Sequence, residues 1–469
     1  MKVSGKDLIA LGYQPGKWFR VALDYLNANS LAEAEMKVYL DTVAPKIEII
    51  DPHLEAVPYH QNIRAEHPDE VANVASVFET MNVLMKTPTV INGAVMPDAC
   101  PTGRKGQIPV GGIVVTKGTI HPAMHSADIC CSVMMTSFGN VDPKLVLDTA
   151  QSVTHFGGGG RTDCFELPDE LETKMMDNFF LNTQRSLHLA KTHLGTQGDG
   201  NHFLYVGKSE ATGETIMVTH HGSRGLGANL YKAGMKIAEA YRQQYSPKTL
   251  KTNAWIPYDS EKGKQYWEAL QLVRAWTKLN HEVLHNAIGQ KAGATIVDRF
   301  WNEHNFVFKD GDDFYHAKGA TPLDDRFVPD SKDGLRLIPL NMREPILVVK
   351  GETTENNLGF APHGAGRNIS RSQHVRNNSD RTINEIFAEE TENIDARFYS
   401  GNIDISELPS AYKNAQEVQA QMQEFGLGTV VDRIMPYGCI MAGDWQIEAP
   451  WRKRRRLKKE AADKAKTKE

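Results

Sequence analysis

The chain has 469 residues, 41% of them hydrophobic and 24% charged, the balance of a folded soluble protein able to bury a large core. No apolar run approaches the roughly 18 residues needed to cross a bilayer, which excludes a membrane-spanning class. The formal charge is −5, but the last twenty residues carry ten Lys or Arg against three Asp or Glu, a net +7, so the body stands at −12. An acidic body is not the usual footprint of a nucleic-acid binder. Met1-Lys2-Val3-Ser4-Gly5-Lys6 leads into a polar segment rather than a signal peptide, so a cytoplasmic location is expected. Cys100, Cys130, Cys131, Cys164 and Cys439 lack framework spacing, which argues against a disulfide scaffold and leaves a thiolate ligand open.

In chain order, residues 15–45 read as helical, with Ser30-Leu31-Ala32-Glu33 as a capping box opening a segment to about Tyr39. Residues 51–66 have loop character. Pro68 then stands where a first helical position belongs, and Val71, Val74, Phe78, Met81 and Met85 follow at helix-face spacing as core. Short β-branched runs predict strands at 89–91, 112–116 and 133–137, with a Pro- and Gly-punctuated loop at 96–106. Helices are expected at 143–153, 168–193, 229–245 and 260–297. Further strands are expected at 203–206, 216–220, 304–308, 314–317, 337–341 and 346–350. The mixture is α+β, with no internal repeat. It divides into an amino-terminal helical segment at 1–60, a single large catalytic body at 61–449 and a basic tail at 450–469.

Candidate chemistry lies in loops and at strand ends. Gly364, Ala365 and Gly366 leave little bulk beside His363, so backbone amides can close on a phosphate while Arg367 and Arg371 supply forked charge. An exposed histidine in a tight turn is the plain alternative. Asp128 and Cys131 offer a carboxylate close to a thiolate. His202 ends a glycine-rich loop, His220 ends a strand and His304 begins one. Such a donor set suits manganese, zinc or cobalt, and a thiolate can bridge two ions. A surface or satisfied core role stands as the alternative for each histidine. His221 beside His220, and His281 with His285 on one helix, read as bystanders.

The blocks Met96-Pro97-Asp98, Asp128-x-x-Cys131, Gly195-Thr196, Gly200-Asn201-His202-Phe203 and His220-x-Gly222-Ser223-Arg224-Gly225-Leu226-Gly227 occur in one order. His304-Asn305, Lys318-Gly319-Ala320-Thr321, Ile338-Pro339, His363-Gly364-Ala365-Gly366-Arg367 and Ala411-Tyr412-Lys413 continue it. From about 89 to 443 the chain resembles the RtcB family of RNA-splicing ligases. The resemblance implies ligation of an RNA 3′-phosphate or 2′,3′-cyclic phosphate to a 5′-hydroxyl, with two Mn²⁺ ions and GTP. It implies Asp128, Cys131, His202, His220 and His304 as metal ligands and His363 as the catalytic residue that carries the nucleotide covalently. It implies Asn201, Phe203, Asn341, His363, Gly364, Ala365, Gly366, Arg367 and Tyr412 as nucleotide-binding residues, and an archease-like activating protein as a partner beside RNA.

Departures accompany the match. Cys130-Cys131-Ser132 replaces a Gly-Cys-Gly style ending, His125-Ser126 replaces small or apolar residues, and Cys100 replaces a histidine. Tyr205 stands where relatives read guanine with a glutamate, residues 341–343 replace a small turn, and Ala442 stands where a nucleotide-contacting lysine is usual. These changes lead us to expect a weakened guanine preference, with ATP or another nucleotide accepted. The tail at 450–469 is expected to add phosphate contacts. A metal-dependent cyclic phosphodiesterase without ligation, and a non-catalytic RNA-binding relative, are the alternatives.

Overall fold

The β-branched and aromatic runs pair into two main sheets, and the long amphipathic stretches pack as helices around them. The computed structural model describes residues 2–447 except 14, 15, 17, 46, 47, 66 and 329; the basic tail lies outside the described residues. The α+β expectation holds.

The larger sheet runs Arg336–Ile338, Ile346–Lys350, Thr429–Met441, Phe203–Ser209, Thr215–His221, Ser132–Ser137 and Asp298–Glu303, with Asp395–Phe398 added parallel to Thr429–Met441. Its central strands are buried on both faces, and the period of two sorts their side chains. Val133, Met135, Tyr205, Ile216 and Val218 join Leu337 and Ile346 on one side. Leu204, Val206 and Met217 meet Leu284 and Ile288 of the long helix Glu261–Ala292 on the other. That helix also projects His281 and His285 at the sheet. Thr219 Oγ1 lies 2.7 Å from a ring nitrogen of each, and Ser132 and Thr136 take the remaining nitrogens. Both histidines are thus satisfied core residues, as their spacing suggested.

The smaller sheet runs His60–Gln61, Val90–Cys100, Val110–Lys117, Asp313–Lys318 and Asn305–Asp310. Antiparallel register sets Phe203 opposite His220, and Ser132 opposite both His221 and Glu303. Residues 131, 202, 220 and 304 therefore meet at one end of the larger sheet. The short pair Ala320–Pro322 and Phe360–Pro362 delivers His363 to the same place.

Several elements differ from the sequence reading. The expected capping box at Ser30 is displaced by two residues: Ser30 has a positive φ of 45°, and Glu35 accepts from the Ala32 N–H at 3.1 Å to open the helix Glu33–Val43. The single helix expected at 168–193 is two, Asp169–Asp177 and Gln184–Thr192. Between them Asn178 donates to Gln265 O and Glu268 instead of continuing a turn. The loop expected at 96–106 begins only after Cys100, because Pro97 and Asp98 are absorbed in a register shift of the strand Val90–Cys100. The strand expected at 337–341 stops at Ile338. The 13-residue strand Thr429–Met441 escaped notice because Pro436 and Gly438 interrupt its pattern, at another register shift. Among the described amino-terminal residues, three helices, Gly5–Ala10, Trp18–Asn29 and Glu33–Val43, share a small core of Leu8, Phe19, Ala22, Leu26 and Leu40.

Candidate active site

The sheet end opens into a cavity of about 370 Å³, lined at one end by charged and imidazole groups and at the other by apolar side chains. Every residue expected to bind a nucleotide lines it: Asn201, Phe203, Asn341, His363, Gly364, Ala365, Gly366, Arg367 and Tyr412.

The five expected metal ligands form two groups that share Cys131. One is Cys131, His220 and His304; the other is Asp128, Cys131 and His202. Cys131 Sγ lies 3.2 Å from His220 Nε2 and 3.6 Å from His202 Nε2. His220 Nε2 stands 3.1 Å from His304 Nε2, and His202 Nε2 stands 3.2 Å from Asp128 Oδ2. The far nitrogens define the tautomers. His202 Nδ1 donates to Gln197 O at 2.6 Å and His220 Nδ1 to Asn201 O at 3.1 Å, so both Nε2 atoms present lone pairs to the cluster. Burial keeps the His220 and His304 rings neutral, pulling His220 down to about 3 and His304 well below the ordinary value. Lone pairs, a carboxylate and a sulfur converging on one spot repel one another unless a cation lies among them, so the donor set fits divalent metal ions. The extra donors do not join in. His125 is buried between Tyr266 OH and Ser126 O, and Cys130 turns into the core with a positive φ of 57°.

His363 is held from behind. Asp98 Oδ2 accepts from its backbone N–H at 3.0 Å and from Nδ1 at 2.6 Å, and Asp98 is fully buried. The proton therefore sits on Nδ1, leaving the Nε2 lone pair for the cavity. Buried Lys413 fixes this segment by donating to Pro97 O and Ala99 O, each at 3.0 Å. Gly366 permits the close approach: it has φ +73°, and a Cβ there would stand 2.0 Å from Asp98 O.

The anion-facing side is built on Glu407, itself almost fully buried. Arg367 donates to Glu407 at 2.8 Å and to Ser406 O at 2.6 Å, with its guanidinium 4.3 Å from the centre of the Tyr412 ring. Arg371 pairs with Glu407 at 2.6 Å, and Tyr412 OH donates to it at 2.5 Å. Opposite, Lys318 donates to Ile108 O at 3.3 Å, and burial pulls its ammonium down to about 8. Its charge is present below that pH and lost above it. Sulfate, whose own charge is constant there, is expected to bind metal-free protein about tenfold more weakly at pH 9 than at pH 7. Calorimetry checks this, and Lys318→Arg should remove the dependence; a flat profile in the wild type would show that Lys318 does not face the anion.

The other end of the cavity is apolar: Phe203, Tyr205, Leu340, Met342, Ile346 and Met441. Tyr205 presents only its ring, because its hydroxyl donates to Ile434 O at 2.8 Å. Asn341 Oδ1 accepts from the backbone of Arg343 and Glu344, closing a local turn. Ala442 is buried in the core beyond the wall, so its position offers the cavity no polar group.

Asp98, Lys318 and Glu407 were present in the sequence blocks or beside them, yet carried no assigned role there. Asp98 and His363 stand 265 residues apart, and only the fold joins them.

A sequence model of the family described as "RtcB: tRNA-splicing ligase RtcB" matches residues 164–442, more than half of the chain. The chain is 26% identical over 439 residues to a tRNA-splicing ligase RtcB of Thermococcus kodakarensis, covering 77% of this chain and 89% of that one. It is 26% identical over 300 residues to the tRNA-splicing ligase RtcB of Pyrococcus abyssi, covering 55% of this chain but only 32% of that protein. It is 27% identical over 290 residues to an RNA-splicing ligase RtcB of Mycobacterium tuberculosis, covering 55% and 67%.

Proposed function

The chain belongs to the RtcB family, and from that premise we propose that it is an RNA ligase, joining a 3′-phosphate or 2′,3′-cyclic phosphate end to a 5′-hydroxyl end. The observation that carries this reading is the orientation of His363: Asp98 takes Nδ1 at 2.6 Å and leaves Nε2 as a lone pair facing the cavity. Nε2 attacks the α-phosphorus of a nucleoside triphosphate. An N–P bond forms as the P–O bond to pyrophosphate breaks, and Asp98 balances the charge gained by the ring. A cyclic end is first opened by water to the 3′-phosphate, which displaces His363 from the nucleotide, giving a mixed anhydride. The 5′-hydroxyl attacks the RNA phosphorus, its proton leaving to solvent, and the new P–O bond forms as the bond to the nucleoside monophosphate breaks. Arg367, Arg371 and Lys318 hold phosphate oxygens through these exchanges. Asp128, Cys131, His202, His220 and His304 would hold two divalent ions, manganese by resemblance, which supply Lewis-acid stabilisation of the phosphoryl charge.

GTP is the nucleotide that the family resemblance suggests, but the cavity's apolar end supports only weak base selection. With Tyr205 OH committed to Ile434 O and Ala442 in the core, the base is held by stacking and shape. Intact mass after incubation with Mn²⁺ and each nucleoside triphosphate tests both points. One nucleoside monophosphate is expected to add to the wild type and none to His363→Ala, with GTP and ATP rates within about tenfold. No adduct in protein shown to hold metal would replace the ligase reading with a metal-dependent phosphoesterase. A hundredfold preference for GTP would overturn the account of the base end.

A further inference from the structure

Beyond the match to the family model, which ends at residue 442, the chain continues through Asp444 and Trp445. Trp445 is not loose. Its indole lies over the backbone of Gly157 and Gly158: a Cβ at Gly158 would stand 2.6 Å from the ring, and one at Gly157 3.6 Å. Its Nε1–H donates to Asp199 Oδ2 at 3.1 Å, and its backbone N–H to Gly443 O at 2.9 Å. Gly157 and Gly158 precede residue 164, where the family-model match begins, and Trp445 follows residue 442, where it ends.

The position of the ring is informative. Asp199 is followed by Gly200, where a Cβ would stand 3.3 Å from an Arg371 guanidinium nitrogen, and then by Asn201 in the cavity wall. Trp445 therefore sits at the rim of the cavity, beside Arg371, whose side chain is 49% exposed. One face of the indole is covered by glycine backbone; the residue as a whole remains 39% exposed. Seven residues further along the chain begins Arg452-Lys453-Arg454-Arg455-Arg456.

We propose that Trp445, laid on Gly157 and Gly158, is a stacking platform for an unpaired nucleotide of an RNA end entering the cavity. This rests on the reading of the cavity as an RNA-ligase site. An exposed aromatic face fixed beside cations is the combination that binds single strands without reading sequence. The carboxylate nearest the ring, Asp199, is occupied by the indole N–H. The charge of the tail favours a polyanion over an apolar protein surface as the occupant.

The test is binding of a labelled 12-nucleotide single-stranded RNA with a 3′-phosphate, by anisotropy across a salt series, to the full chain and three variants. Trp445→Ala is expected to weaken binding by about five- to a hundredfold with an unchanged salt slope, because stacking releases no counterions. Gly158→Ala, which puts a methyl group against the indole, should weaken binding in the same sense, whereas Trp445→Phe should retain most of it. Affinity within twofold of wild type in both Trp445→Ala and Gly158→Ala would overturn the platform and leave that face to another molecule. The His363 adduct, read by mass on the same proteins, separates the two ideas. Adduct formation with unaltered RNA binding sinks the platform alone, whereas loss of RNA affinity in Trp445→Ala with no adduct even in the wild type sinks the ligase reading alone.

Discussion

Replacing Asp98 by asparagine is expected to slow nucleotide transfer to His363 by about 10³-fold while the protein stays folded and keeps its metal. Asp98 is fully buried, and its Oδ2 accepts from both the His363 backbone N–H and the ring Nδ1–H. An asparagine can keep those two bonds only by burying its NH₂ where Oδ1, which receives no hydrogen bond, now lies. Leaving that donor unmade costs about 1–3 kcal/mol. Turned the other way, the amide donates to Nδ1, moves the ring proton to Nε2 and removes the nucleophile. Both outcomes also lose the negative charge that offsets the imidazolium. The measurement is the rate of adduct formation by intact mass, beside a thermal melt and metal analysis. A change of less than about tenfold would show that Asp98 merely packs behind the ring.

The contrast between Asp98 and the metal ligands explains what a sequence discloses. Cys131, His202, His220 and His304 each adjoin a strand end, and strands are local patterns, so both the ligand and its position along the strand are visible. Antiparallel register then needs no further information to bring them together. Asp98 acts across 265 residues through an irregularity in the strand Val90–Cys100, and nothing near it in sequence names its partner. Tyr205 shows a different limit. Its position in the sequence indicates a lost polar contact, but only the fold shows that its hydroxyl points to Ile434 O rather than into the cavity.

His281 and His285 were legible for the opposite reason. Four residues apart on one helix, they face the sheet together, where Ser132, Thr136 and Thr219 meet their polarity. Trp445 was legible only as a residue beyond the resemblance, because its partner Asp199 and its glycine cradle lie on loops far away in the chain. For Trp445, as for Asp98, the decisive quantity is contact between distant segments, which residue spacing does not encode.

Because Cys131 belongs to both donor groups, Cys131→Ser is expected to remove both ions together, whereas His202→Ala and His304→Ala each weaken one. The Cys131 sulfur lies 3.2 Å from His220 Nε2 and 3.6 Å from His202 Nε2, and a serine hydroxyl in its place is shorter and harder and, unlike a metal-bound thiol, stays protonated at neutral pH. Changing a residue that merely orients a ligand costs 10–100-fold in metal affinity, so loss of a shared ligand should cost at least about 100-fold at both positions. Metal content after dialysis against Mn²⁺, with calorimetry for affinity, checks this. Two ions are expected per wild-type chain, one in each histidine variant and neither in Cys131→Ser. Undiminished binding of two ions by Cys131→Ser would mean that the groups are independent and that the thiol is a neighbour rather than a bridge. The adduct assay should follow the metal: if the phosphoryl charge is carried by both ions, the histidine variants lose most of the rate and Cys131→Ser loses all that can be measured.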